Sequence, residues 1–306
     1  MKKQIFILSV ICIALASCNN NNIYDNLQKE SNRSPIISEL SKFNDSLLQT
    51  QLKTRASSKR TLDRMSIVVA DAVGAYEIGS IGAKIGGFLG HPHVGAGIGA
   101  LIGGAYSSYR CYNLLNSTRA SSVYREYKPL QVAAAYAPAL EDSTLVHDNL
   151  PTEITLNYST ESKDNIEFGA KHNIIVRNLQ TNNFVLDSDV KEFLSQEELD
   201  ILTSKDFITG YDSVTNRLSN CIINGEIPQN TNKDISSMLM NLFASILETY
   251  SDKAEDTEFI INKYLDAVQK TSELSNEEKD NIYRALSVAA SSFEFWNGKE
   301  IQDEQK

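Results

Sequence analysis

Eleven of the chain's fifteen glycines fall within 31 positions, Gly74 to Gly104. Two strings in that stretch place glycine at every fourth residue, Gly82, Gly86, Gly90 and then Gly95, Gly99, Gly103. Four-residue spacing keeps the glycines on one helix face, where a missing Cβ lets another backbone approach closely. His91-Pro92-His93 separates the strings and reads as the tip between two helical arms. Each helical glycine costs about 1 kcal/mol against alanine, so eleven of them cost on the order of 10 kcal/mol. Close backbone packing or an apolar surround must offset that. The arms are therefore expected to pack on each other, on a copy of themselves, or in lipid.

The first arm is expected from Ser58 to Gly90, because Leu62, Met65, Val69, Val73 and Tyr76 recur at helical spacing. The second is expected from His93 to Leu115, with Pro92 tolerated at a helix start but not inside one. Ile85 to Tyr109 carries no formal charge, yet Pro92 divides it. The second arm then offers about sixteen neutral residues before Arg110, roughly 24 Å of helix against a hydrocarbon thickness of about 30 Å. The first arm carries Asp71, Glu77 and Lys84, the last two on a face opposite Gly82 and Gly86. It has a packing side and a polar side, which makes it a poor lone spanner. On Gly82, Gly86, Gly90, Gly95, Gly99 and Gly103 the stretch resembles the glycine-zipper hairpins of bacterial envelope lipoproteins and surface antigens. That resemblance implies helix packing, oligomerisation or membrane association. More loosely it resembles the glycine-rich two-peptide bacteriocins, which implies a membrane-active effector, although those are short secreted peptides.

The first residues bear on compartment. Lys2 and Lys3 precede an apolar run from Ile5 to Ala16, and Leu15-Ala16-Ser17-Cys18 follows. This resembles the lipobox of bacterial lipoproteins, in which the cysteine receives a diacylglyceryl group, cleavage occurs before it and the new amine is acylated. Cys18 would then be the first residue, held at a bilayer by several acyl chains, each buried CH₂ contributing roughly 0.8 kcal/mol. Asn19 to Asn22 carry no acid directly after the cysteine. Surface-exported lipoproteins resemble one another in having acids there, so a periplasm-facing position on the outer membrane is the expectation.

The whole chain has a formal charge of −10, and loss of Lys2 and Lys3 takes it to −12. An acidic chain gains nothing from counterion release, which excludes nucleic acid as a partner class. The exception to the acidity is Lys53, Arg55, Lys59, Arg60 and Arg64 before the first arm, either a solvated helix start or a contact for anionic headgroups. With Cys12 in the signal and Cys18 lipidated, Cys111 and Cys221 remain, two thiols whose pairing the sequence leaves open.

The remainder reads as helix. Residues 18–57 are polar and form a largely disordered tether, with a short helix over Ile36 to Leu52. Residues 116–163 lose periodicity around Pro129, Pro138 and Pro151, with short extended pieces at Val123 to Tyr127 and Glu153 to Tyr158. Helices are predicted over 164–181, 187–203, 206–223, 232–252, 255–271 and 275–297. Ser195-Gln196-Glu197-Glu198 and Ser275-Asn276-Glu277-Glu278 have capping-box form.

Few residues suggest chemistry. His91 and His93 flank Pro92 without a third ligand at a usual spacing, and His147 stands alone. Gly95-Ala96-Gly97-Ile98-Gly99-Ala100 has the letters of a dinucleotide fingerprint but lacks the preceding strand. His172, beside Asn173, is either a base oriented by a polar neighbour or a hydrogen-bonded core histidine. Gly169, His172 and Asn173, with Leu286-Ser287-Val288-Ala289-Ala290-Ser291-Ser292, resemble a helical domain of uncharacterised gut-bacterial lipoproteins, which implies no activity.

The sequence thus predicts a mainly α protein. Its parts are a signal peptide (1–17), a tether (18–57), a glycine-zipper hairpin (58–115), a linker (116–163), an all-α domain (164–298) and a tail (299–306). It is read as a non-enzymatic lipoprotein with no metal or cofactor. Its expected partners are membrane lipid through Cys18, and either a second copy or an envelope protein.

Overall fold

The computed structural model describes residues 34–51, 59–116, 127–136, 143–181, 194–250 and 253–297. Cys18, the signal peptide, Lys53, Arg55 and the tail lie outside them. Among the described residues the chain is helical and contains no strand. Helix α1 is Pro35–Gln51, α2 Lys59–Leu89 and α3 Pro92–Asn116; the short α4 and α5 are Pro129–Ala134 and Ser143–His147. A 3-10 turn over Lys163–Ile166 leads into α6, Glu167–Thr181. Then come α7 Gln196–Thr203, α8 Lys205–Asn224, α9 Ile235–Tyr250, α10 Ala254–Lys270 and α11 Asn276–Asn297.

The glycine arms, α2 and α3, form the centre, and the other helices wrap them. Ile67 to Tyr76 on α2 is buried without a break, as is Gly95 to Ser108 on α3. Helix α11 runs antiparallel to α2: the Asn281 amide donates to Tyr76 O at 2.8 Å, and eleven residues later the Ser292 hydroxyl donates to Asp71. Helix α9 is antiparallel to α2 as well, with Ser236 at the Tyr76 hydroxyl (2.7 Å) and Glu248 at Ser66 (2.7 Å). Helix α8 covers both arms, and α6 packs on α3 and α11.

The hairpin and the C-terminal helices were expected as separate units, but they share one apolar cluster that also takes in α1. Residues 34–51, which fall in the stretch read as tether, are part of the folded body. Ile36, Ile37 and Leu40 are buried, and Asn44 bonds to Leu242 O and the Tyr264 hydroxyl, each at 3.0 Å. The physical reason is the apolar spacing of α1, which gives it one face to bury on α9 and α10.

Within the stretch read as linker, residues 152–157 are a strap without regular structure. The Glu294 carboxylate accepts from the backbone N–H groups of Thr152, Glu153 and Ile154 (2.9, 2.6 and 3.0 Å). Glu258 accepts from Thr155 N–H at 3.0 Å, and the Asn262 amide bonds to both Asn157 N–H and Thr155 O. The extended piece expected at Glu153 to Tyr158 therefore pairs with helix side chains instead of another strand. Glu294→Ala is expected to raise hydrogen-exchange rates at Thr152, Glu153 and Ile154 about five- to tenfold. Three bonds disappear, but water reaches the freed groups, so the loss is only about 1 kcal/mol.

Candidate functional site

Between the arms the contact is backbone on backbone. A Cβ on Gly82 would fall on the Gly95 carbonyl, and one on Gly95 would fall on the Gly82 carbonyl. The same opposition recurs every four residues: Gly86 meets His91 O, Gly99 meets Ile78 O at 2.5 Å, and Gly103 meets Gly74 O at 2.6 Å. The register is strict because both arms repeat at four and run antiparallel. Two assignments shift. Gly74, outside the strings read from sequence, belongs to the interface; Gly90 does not.

Gly90 has φ +88 and open space around it. It ends α2 in a left-handed cap, with His91 N–H donating to Gly86 O at 2.6 Å and Gly90 N–H to Gly87 O at 3.3 Å. Pro92 then opens α3. The tip stands clear of the body, with Phe88 92% and Leu89 46% exposed, and His91 and His93 exposed beside them.

The polar side expected on the first arm is covered at Glu77 and open at Lys84. Glu77 is buried against Arg217 of α8, whose guanidinium bonds to its carboxylate and to Gln229 O. Burial pushes the Glu77 carboxyl up to about 7, with Arg217 opposing the rise. Lys84 remains exposed.

His172 lies at the second buried polar junction, where α2, α3, α6 and α11 meet. Its Nδ1 is 3.0 Å from Asn173 Oδ1, and the Asn173 amide nitrogen donates to Ser291 O at 2.9 Å. That amide orientation assigns the imidazole proton to Nδ1. Nε2 then faces Asp71 Oδ2 at 3.6 Å. Ser292 donates to Asp71, and Trp296 Nε1 donates to Ser108 Oγ at 3.0 Å. Desolvation holds His172 down at about 4 and raises Asp71 well above the carboxylate range.

A serine, a histidine and an aspartate thus converge, but the serine bonds to the acid and not to the imidazole. The base cannot activate it as a nucleophile in that arrangement. Asp71, His172, Ser292 and Ser108 are all fully buried, which leaves no approach for a reactant. Small residues admit these groups: a Cβ on Gly104 would come 3.1 Å from the His172 ring, and Gly169 abuts Ser287 O and Ser291.

The other candidates resolve simply. Among the described residues no group of three or more His, Cys, Asp or Glu could hold a metal ion. Gly95 to Ala100 lies inside α3, so its fingerprint lettering belongs to a helix interface. Cys111 and Cys221 form no disulfide. Glu198 and Glu278 each accept from the backbone of their capping serine, at 2.9 and 2.8 Å. Among the described residues one helical segment, Arg64–Leu89, is long and apolar enough to cross a membrane, and most of it is buried.

No family model, curated protein or solved structure matches the chain.

Sequence reading did not find the roles of Asp71, Glu77 and Arg217, Asn281, Glu294 or Trp296. The one available signal was Asp71 itself, a lone acid in the apolar run Met65 to Tyr76. Such a residue needs a partner, but nothing local says which.

Proposed function

We propose that the protein is a bacterial envelope lipoprotein without a catalytic role, anchored through acyl chains on Cys18 and facing the periplasm from the outer membrane. Its glycine hairpin serves as the packing spine of a helical interaction body. The observation that carries this reading is that both arms spend their glycine faces on each other, while the one junction of histidine, aspartate and serine, at His172, Asp71 and Ser292, is sealed in the core. Self-association or capture of an envelope protein then uses surface other than the zipper.

The anchor is testable directly. In cells the chain is expected to incorporate labelled palmitate and to fractionate with membranes, and Cys18→Ala is expected to abolish both. An unlabelled wild-type chain would refute the lipoprotein reading.

A second reading, a bacteriocin-like membrane-active effector, is favoured by the length and apolarity of Arg64–Leu89 and the charge-free run from Ile85 to Tyr109. It requires the hairpin to leave the bundle. Release of a trapped dye from liposomes by the whole mature chain tests it, and an absence of leakage at every lipid composition rules it out.

A further inference from the structure

We infer that the hairpin tip, Phe88-Leu89, is an interfacial wedge that sits in the surface of a bilayer of low net charge, an inference that rests on the lipid-anchored reading above. Three observations converge on it.

The first is exposure. Of the large exposed hydrophobics among the described residues, Phe88 and Leu89 alone are neighbours in sequence. They project between Gly87 and Gly90, around which nothing lies within 4 Å of an added Cβ. A two-residue wedge is far smaller than the roughly 800 Å² per partner of a stable protein interface. It is, however, the size that an aromatic and a leucine need to enter the headgroup region beside an existing anchor.

The second is topology. Helices α9 and α11 run antiparallel to α2, so the start of α11 faces the tip end of the bundle. Glu273, just before that start, accepts from the Ser34 hydroxyl at 3.2 Å and from Ile36 N–H at 2.9 Å. The N-terminal segment thus enters α1 at the same end of the molecule as the tip. Cys18 precedes Ser34 by sixteen residues. Such a segment reaches at most about 55 Å, which keeps the tip within reach of the bilayer that holds the anchor. Helix α2 begins at Lys59, roughly 45 Å of helix away from the tip.

The third is charge. No acid occurs between Glu77 and Glu126, so the tip itself is neutral to cationic, with Lys84 exposed one turn back. At the helix starts that face the tip end acids outnumber bases: Glu197 and Glu198 of α7, Asp206 beside Lys205 on α8, and Glu277 and Glu278 beside Lys279 on α11. Glu197 lies within electrostatic reach of His91 at the tip. An apolar point backed by this excess of acids suits zwitterionic headgroups over anionic ones, whose repulsion salt screens.

The test uses the chain from residue 19 with a hexahistidine tag in place of residues 1–18, held on phosphatidylcholine vesicles by a nickel-chelating lipid. Anchorage is then independent of natural lipidation. Phe88→Trp reports on the tip, and Phe259→Trp, at an exposed site on α10 (55% exposed), reports on the side of the body. The native Trp296 is buried and contributes the same background to both. Lipids with brominated chains are expected to quench the Phe88→Trp emission at least twofold more than that of Phe259→Trp, with a blue shift for the former. Anionic lipid is expected to weaken the quenching at low salt, and added salt to restore it. Equal quenching of the two variants overturns the wedge, as does a Phe88→Trp blue shift that depends on protein concentration without vesicles. Stronger quenching on anionic vesicles overturns the choice of lipid. Failure of palmitate labelling would strike the anchor alone, since the tagged chain tests the tip without it.

Discussion

Gly82→Ala and Gly95→Ala are each expected to destabilise the fold by about 3 kcal/mol or more, about 10 °C in Tm, measured by thermal or denaturant unfolding. The added methyl meets a carbonyl of the facing helix, and backbone cannot rotate away as a side-chain end can. Relief requires the arms to separate, which loosens the matching contacts at Gly86, Gly99 and Gly103. The helix-propensity gain of about 1 kcal/mol per alanine offsets only part of this. Because both methyls invade the same gap, the double variant is expected to lose less than the sum of the singles. Gly87→Ala supplies the opposite sign. Nothing lies within 4 Å of its added Cβ, so it is expected to stabilise by about 0.5–1 kcal/mol. If all three alanine variants behaved alike, intimate backbone contact between the arms would be disproved.

Mild acidification is expected to stabilise the protein, with Tm rising as pH falls from 8 to 5. The Glu77 carboxyl titrates near 7 when folded, against an ordinary value of 4.5. Its contribution is fully present below the unfolded value and is lost as pH rises through 7, because the folded state binds the proton more tightly. Over that window the difference is worth about 3 kcal/mol. His172, lowered to about 4 by burial, acts with the opposite sign: its contribution is present above 6.5 and is lost as pH falls toward 4. Asp71, raised by the same desolvation, compensates. The two shifts oppose each other in sign, so the junction contributes less slope than either group would alone. Glu248 of α9, also raised by burial, adds to the slope with the same sign as Glu77. Glu77→Gln is expected to remove most of the slope between pH 5 and 7, leaving the part due to Glu248, and a variant whose slope equals the wild type's would contradict the assignment. The Arg217 guanidinium bonded to Glu77 retains an oxygen acceptor in that variant, which keeps the substitution mild.

The reach of the sequence differs from element to element. Arms expected over 58–90 and 93–115 are helices at Lys59–Leu89 and Pro92–Asn116, and the region expected at 206–223 is Lys205–Asn224. Helical spacing, Pro92, Gly90 and the serine caps are all local signals, complete within a few residues. Zipper membership was only partly legible for the same reason. A four-residue repeat marks a face without saying where the facing arm begins, so Gly74 was missed and Gly90, which turns the chain, was counted. The junction at Asp71 was illegible, because His172, Ser292 and Trp296 lie more than 100 residues away in sequence.

What the sequence determined by itself, then, is a mainly helical chain with an apolar glycine hairpin at its centre, because periodicity and punctuation act over single turns. Tertiary structure decided what the hairpin packs against. Residues 34–51 and the strap at 152–157 joined the body, Glu77 acquired Arg217, and both glycine faces closed on each other instead of on a second copy. Those outcomes depend on which surfaces meet across long stretches of chain, and a pairing of that kind has no local signature.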